Sequence, residues 1–276
     1  MKLKLSLAII GEKWRVYSNK NSYWLFVNRV KMKNLKVVIA AGGDGTRLGL
    51  LNSKGQAKSL LLFGDRPLIS FQLDILRDNG LKEIHLSFTR DSQKKDFEFF
   101  IKKGLVPNLD YSFSFHDHFE HPACLFRADG VKNFISKSDF LFSQGDLIVR
   151  NKTIEDLIKL YEENECTVAI KEKARKGDKK KFILKNSFLV NIIDSNKNFW
   201  RYGGLYIIKN QDIPDWYAVC ESSKMETFRF FERCLERKSK VCFLKGISPV
   251  ININTPKEFL LAQKYLKEKF NLFVLK

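Results

Sequence analysis

The 276-residue chain has no apolar run approaching the roughly 18 residues that a membrane-spanning helix needs, so no such span is expected. Cysteine is scarce: Cys124, Cys166, Cys220, Cys234 and Cys242 are odd in number and include no C-x-x-C pair. That excludes a disulfide framework and a standard zinc site, and fits reduced, mostly buried thiols of a cytoplasmic protein. There are no internal repeats and no Pro/Gly/Ser-rich linker that would divide the chain. Met1–Ile10 is basic and then apolar, but the apolar part is short, and Gly11-Glu12-Lys13-Trp14-Arg15 follows without a small-residue cleavage site. A secretory leader is therefore not expected.

What is present is enough for one large core: 44% of the residues are hydrophobic. The formal charge of +18 points to anionic partners, either nucleic acid or phosphorylated small molecules. Charge alone does not choose between them, and a lysine-rich background composition would produce the same number.

The regular pattern begins near Lys33. Leu35–Ala41 is a short apolar run ending in glycines, the pattern of a buried parallel strand. Pro67–Asn79 carries apolar residues at helical spacing between a proline start and the stop signal Gly80. Glu83–Thr89 reads as a second strand. Strand, glycine loop, helix and strand in that order imply a parallel α/β unit. Further strands are expected at 111–115, 139–143, 167–170, 188–193, 205–208 and 241–243, and helices at 154–164, 225–237 and 256–270. Residues 33–276 thus read as one domain, with 1–32 as an extension. Met32 falls where such a domain would begin, so the extension is either an added hairpin or the product of an early start codon. Lys171–Lys181 holds seven basic residues against two acidic ones and reads as a solvated turn.

The strongest signal is Ala40-Ala41-Gly42-Gly43-Asp44-Gly45-Thr46-Arg47-Leu48, followed by Lys58 and Leu60. Glycines let backbone N–H groups approach a ligand without a β-carbon in the way. A loop after a buried strand lies at the carboxyl edge of the sheet, where open α/β folds bind ligands. Arg47 and Lys58 add two positive charges suited to a triphosphate. The loop is neither G-x-x-x-x-G-K-[ST] nor G-x-G-x-x-G.

From Val37 to Ile84 the sequence resembles the N-terminal signature of the sugar-phosphate nucleotidyltransferase family, A-G-G-x-G-T-R-L, a short spacer, P-K-x-L and a proline-started helix. Ala57 departs from it, standing where a proline usually precedes the lysine. The resemblance implies a GT-A-like, Rossmann-type three-layer α/β/α sandwich with a mixed, mainly parallel sheet. It implies that Ala41, Gly42, Gly43, Gly45, Thr46 and Arg47 contact the nucleoside triphosphate and that Lys58 contacts the sugar phosphate.

Phe140–Asp146 ends an apolar strand with a carboxylate, the kind of ligand Mg²⁺ takes beside phosphate oxygens. A turn residue is the other reading of Asp146; the family's Gly-Asp at this point favours the metal. Val250–Phe259 is similar to the family's closing D-x-x-T-P-E segment, which places Asn252 at a metal position, with Asn254 as the substitute. Thr255 and Pro256 would start a helix with or without a metal.

The resemblance further puts Gly203, Gly204 and Glu226 beside the sugar phosphate, although a strand-entry turn accounts for the glycines nearly as well and an exposed helix carboxylate accounts for Glu226 better. Lys197 could replace a family lysine whose E-K-P context is missing here. His116–His121 gathers three histidines and two acids, yet matches no standard zinc spacing and reads as a polar loop. Pro122–Leu125 replaces a family turn that helps hold the nucleotide.

The expected reaction joins a nucleoside triphosphate and a sugar 1-phosphate into a nucleotide-sugar with Mg²⁺ and release of pyrophosphate. Arg47, Lys58 and Asp146 would carry it without a general base. Two alternatives stand beside it: a nucleotidyltransferase of the molybdenum-cofactor type, which the N-I-N-T-P segment also resembles, and a non-catalytic nucleotide or sugar-phosphate sensor. Specific nucleic-acid binding has no aromatic–basic motif behind it. Assembly with further copies is left open.

Overall fold

A computed structural model describes residues 6–10, 13–17, 22–25, 35–52, 56–116, 122–173, 180–194, 200–221, 227–245 and 250–270. It divides into two units, Met1–Asn34 and Leu35–Lys276. In the first, β1 (Ser6–Ile10), β2 (Lys13–Tyr17) and β3 (Ser22–Leu25) form an antiparallel meander.

In the second unit the chain runs through β4 (Lys36–Ala40), the two-strand hairpin β5 (Leu62–Phe63) and β6 (Arg66–Pro67), α1 (Leu68–Asp78), β7 (Glu83–Phe88), α2 (Asp91–Lys102) and β8 (Asp110–Phe115). There follow α3 (Asp129–Ile135), β9 (Phe140–Gln144), β10 (Leu147–Ile148), α4 (Asn151–Asn164) and β11 (Thr167–Lys173). The remainder is β12 (Lys180–Lys185), β13 (Phe188–Asp194), β14 (Trp200–Ile208), α5 (Ile213–Glu221), α6 (Thr227–Glu236), β15 (Val241–Lys245), β16 (Ile251–Asn252) and α7 (Pro256–Phe270).

Nine strands form the central sheet in the order β11-β15-β13-β12-β14-β9-β4-β7-β8. The pairs β4–β7, β7–β8, β4–β9 and β11–β15 are parallel, while β14 runs antiparallel to β9 and β11. Helices flank this mixed, largely parallel sheet, the expected α/β Rossmann-like architecture. After β4 the chain builds outward to β7 and β8, then returns to place β9 on the other side of β4. That reversal opens a crevice at the carboxyl ends of β4 and β9, the place where open sheets hold ligands.

Val37, Val38 and Ile39 are fully buried, as a central parallel strand covered on both faces requires. One face carries an aromatic cluster in which Phe126, Phe140, Phe142, Tyr206, Trp216, Phe230 and Phe243 pack with Val131 and Ile135 of α3. On the other face Phe97 of α2 meets Phe88 and Phe113. Cys166, Cys234 and Cys242 are buried, and burial pushes the Cys166 thiol up to about 11 and raises Cys234 and Cys242 as well.

Pro67 (φ −68°) leads into α1, and Gly80 (φ +78°) follows its end, where Leu81 N–H returns to the Leu76 carbonyl at 3.0 Å. One expectation needs correction. The basic stretch 171–181 is strand at both ends, because β11 runs on to Lys173 and β12 starts at Lys180. Helices α2, α3 and α5 were not anticipated. His116, which opens the stretch read as a polar loop, is buried, with Nδ1 2.8 Å from the Ser87 hydroxyl.

Candidate active site

The glycine loop leaves β4 with its carbonyl groups already engaged. Gly42 O accepts from Thr89 Oγ1 and Gln93 Nε2 (both 3.2 Å), Gly43 O from Lys58 N (2.7 Å), Asp44 O from Asn52 Nδ2 (2.6 Å) and Gly45 O from Leu48 N (2.8 Å). The amide hydrogens of Gly43, Asp44 and Gly45 have no acceptor among the described residues. Carbonyls held by protein and amides left over make a cradle for an anion. Ala41 sits at the base, its carbonyl accepting the Ser59 hydroxyl at 2.5 Å, and Thr46 and Arg47 are exposed on the 3-10 stretch Thr46–Asn52.

Two amide side chains keep this loop in shape. Gln93, on α2, is buried; its oxygen accepts from Thr89 N (3.0 Å) and lies 2.9 Å from Thr89 Oγ1, sharing that hydroxyl's one proton with Gly42 O, while its nitrogen donates to Gly42 O and Asp44 Oδ1. Asp44 also pairs with Arg90. Asn52 bridges Asp44 O to Gln56, fixing the chain that delivers Lys58.

Lys58 runs under the loop to the carboxyl end of β9, where it pairs with Asp146. Its ammonium also donates to Ile253 O at 3.0 Å and Asn254 Oδ1 at 3.1 Å. Arg47 donates to the same Asn254 oxygen at 2.7 Å. Five residues from three parts of the chain thus meet at the crevice. Asp146 is set in place by Gly145, whose N–H bonds Ala40 O at 2.9 Å; a β-carbon at 145 would stand 2.9 Å from that same oxygen. Across from it, Ile253 N–H bonds Asp146 O at 3.1 Å.

Asn254 is held from behind. Glu258 accepts from Asn254 N (2.8 Å) and from Thr255 Oγ1 (3.1 Å), and its own N–H donates to the Thr255 hydroxyl at 3.3 Å, an N-cap that starts α7. Arg47 and Lys58 can only donate, so Asn254 must show them its oxygen. Its nitrogen therefore faces Asn252 Oδ1 at 2.6 Å, and the Asn252 nitrogen faces Gln144 Oε1. The polarity of three amides is fixed in sequence from the cationic end. Gly204 (φ +80°) lies against Gln144, where an added β-carbon would come within 2.5 Å of Oε1.

Of the residues singled out in the sequence, Arg47, Lys58, Asp146, Asn252 and Asn254 are joined in one network, with Gly43 and Gly45 over Lys58 and Gly203 and Gly204 at its Gln144 end. The Asn252 oxygen is turned to Asn254, whereas the Asn254 oxygen shares Lys58 with Asp146. Glu226, Lys197 and His118 and His121 lie outside the described residues. Gln93 and Gln144 were missed; an amide bonded to a remote backbone leaves no local trace in a sequence.

A family model described as the MobA-like NTP transferase domain matches residues 37–190. Comparison with curated protein sequences found no match. Among solved structures, a protein from Bacillus anthracis described as a glucose-1-phosphate thymidylyltransferase, in complex with a sucrose, is similar with a TM-score of 0.68 at 15% identity, over 88% of this chain and 98% of that one. A UDP-glucose pyrophosphorylase complexed with UDP-glucose gives 0.66 at 14% identity, over 85% and 99%. A UTP-bound UGPase from Acinetobacter baumannii gives 0.66 at 15% identity, over 86% and 95%. At these identities the likeness is one of fold.

Proposed function

Because the chain belongs to the family of MobA-like NTP transferase domains, we propose that it transfers a nucleotidyl group from a nucleoside triphosphate to a sugar 1-phosphate, releasing pyrophosphate. The observation that carries this reading is the convergence of Arg47, Lys58, Asp146 and Asn254 beside a loop with unengaged amides.

The phosphate oxygen of the acceptor attacks the α-phosphorus; a P–O bond forms there as the bond to the β-phosphate breaks and pyrophosphate leaves. A phosphate dianion is already nucleophilic, so no base has to remove a proton. The work left to the protein is positioning and charge neutralisation. Amides of the glycine loop and Arg47 would hold the β- and γ-phosphates, and Lys58 would orient the acceptor phosphate. Gly203 and Gly204 would face the sugar, and Glu226 is a further sugar-phosphate candidate that rests on the resemblance alone.

The donor set suits a hard divalent ion: one carboxylate, Asp146, with the neutral oxygens of Asn254 and Ile253 on the same point. Bound there, Mg²⁺ would neutralise charge developing on the phosphates. Since no group of three His, Cys, Asp or Glu side chains converges among the described residues, phosphate oxygens would complete its shell.

The test is a matrix of nucleoside triphosphates against sugar 1-phosphates, scored for Mg²⁺-dependent pyrophosphate. At least one pair should turn over; nucleotide binding with no pyrophosphate from any pair would leave a sensor instead. A second reading has its own support, since the matching family model is described as MobA-like. In it the acceptor is a molybdenum-cofactor-type phosphate, and adding that acceptor to the panel separates the two.

A further inference from the structure

Oxygen surrounds the Lys58 ammonium: the Asp146 carboxylate, Ile253 O at 3.0 Å and Asn254 Oδ1 at 3.1 Å. One carboxylate and two neutral oxygens are what a hard cation takes from a protein. The two charged side chains are each only 12% exposed, so the pair is poorly screened by salt. Arg47 donates to the same Asn254 oxygen at 2.7 Å, so two cations meet at one amide oxygen beside the Asp146 carboxylate. A divalent ion arriving alone meets the Lys58 ammonium in a place where water screens it weakly.

We propose that the Lys58 ammonium occupies the seat of the divalent ion and has to leave before that ion binds. The seat opens when a phosphate-bearing ligand under the glycine loop gives Lys58 another partner. The inference rests on the nucleotidyl-transfer reading and adds an order to it: the phosphate that engages Lys58 first, the divalent ion second. Lysine suits this task, being a compact charge on a flexible four-carbon stem. The stem already lies beneath the loop, with its Cε 3.5 Å from where a β-carbon of Gly43 would stand. A swing at its end moves one positive charge from Asp146 to a phosphate without moving the backbone.

The probe is Mn²⁺, titrated into the full chain without nucleotide and followed by electron paramagnetic resonance. Lys58→Met and Lys58→Gln should each bind one Mn²⁺ at least tenfold tighter than the unaltered protein, and adding Asp146→Asn should abolish the gain. Unchanged or weaker binding by the folded variants overturns the gate, while pyrophosphate release by the unaltered protein still judges the reaction separately. A gain that survives Asp146→Asn overturns it too, because the ion then sits elsewhere. Either substitution alone suffices should the other fail to fold.

Discussion

The stem of Lys58 passes so close beneath Gly45 that a β-carbon on Gly45 would stand 2.4 Å from Lys58 Cγ. Gly45 also has φ +64°, a conformation costing other residues about 1–2 kcal/mol. The loop and the lysine are shaped to each other. Only glycine lets the lysine run along the loop to Asp146.

Gly45→Ala is therefore expected to displace Lys58, lowering turnover by roughly two orders of magnitude for about 3 kcal/mol of lost charge stabilisation. Gly43→Ala is the comparison. Its β-carbon would meet Lys58 Cε at 3.5 Å, an ordinary contact, and its φ is not positive. Pyrophosphate release by both variants checks this. Equal losses in the two would show that the close approach at 45 does not matter.

Arg47→Ala and Asp146→Asn should each lower turnover about a hundredfold, by analogy with loss of one charge-stabilising donor. Arg47 is exposed, so its loss should alter unfolding free energy by no more than about 0.5 kcal/mol. Urea denaturation beside a pyrophosphate assay separates catalysis from stability. Near-normal turnover in either variant removes that residue from the reaction.

That Lys58 of the glycine-loop segment and Asp146 come together was legible through the family resemblance, since Asp146 by itself reads equally as a turn residue. Strand β4 and helix α1 were legible because apolar runs and proline–glycine punctuation are local signals. Helix α2 was not. Its buried positions are Gln93, Phe97 and Phe100, so the first member of the helical stripe is polar and the spacing is hidden among charged residues. Gln93 is buried for its four hydrogen bonds, which exist only once Thr89 and the glycine loop lie side by side. Strand β12 starts with two lysines in a basic stretch; its pairing with β13, not its composition, makes it a strand.

Asn254→Leu keeps the approximate volume but removes the oxygen shared by Arg47 and Lys58 and the donor to Asn252. Leaving such groups unsatisfied costs about 1–3 kcal/mol. The expected result is lower thermal stability together with at least a tenfold rise in KM for the triphosphate, since Arg47 is no longer held in place. Asn254→Asp retains an acceptor for both cations and should restore most of the affinity. If Leu and Asp behave alike in KM, the Arg47 contact is incidental.

The last expectation concerns pH. His85 is 1% exposed on β7; its ring nitrogens lie 2.8 Å from the Ser112 and Ser114 hydroxyls, and its ring packs on Phe134 with centroids 5.1 Å apart. No acidic partner is present in these contacts, and burial pushes its pKa from 6.5 down to about 4. The unfolded chain takes up a proton near pH 6.5, whereas the folded protein resists until about pH 4. The contribution to stability is complete above pH 6.5 and is lost as pH falls through that window, about 3 kcal/mol in all. His85→Gln keeps polar atoms for the serines but does not titrate, so its unfolding free energy should depend less steeply on pH between 4 and 6.5, by up to one proton. Urea unfolding across that range decides the matter: identical slopes would mean that His85 carries a proton in the folded protein after all.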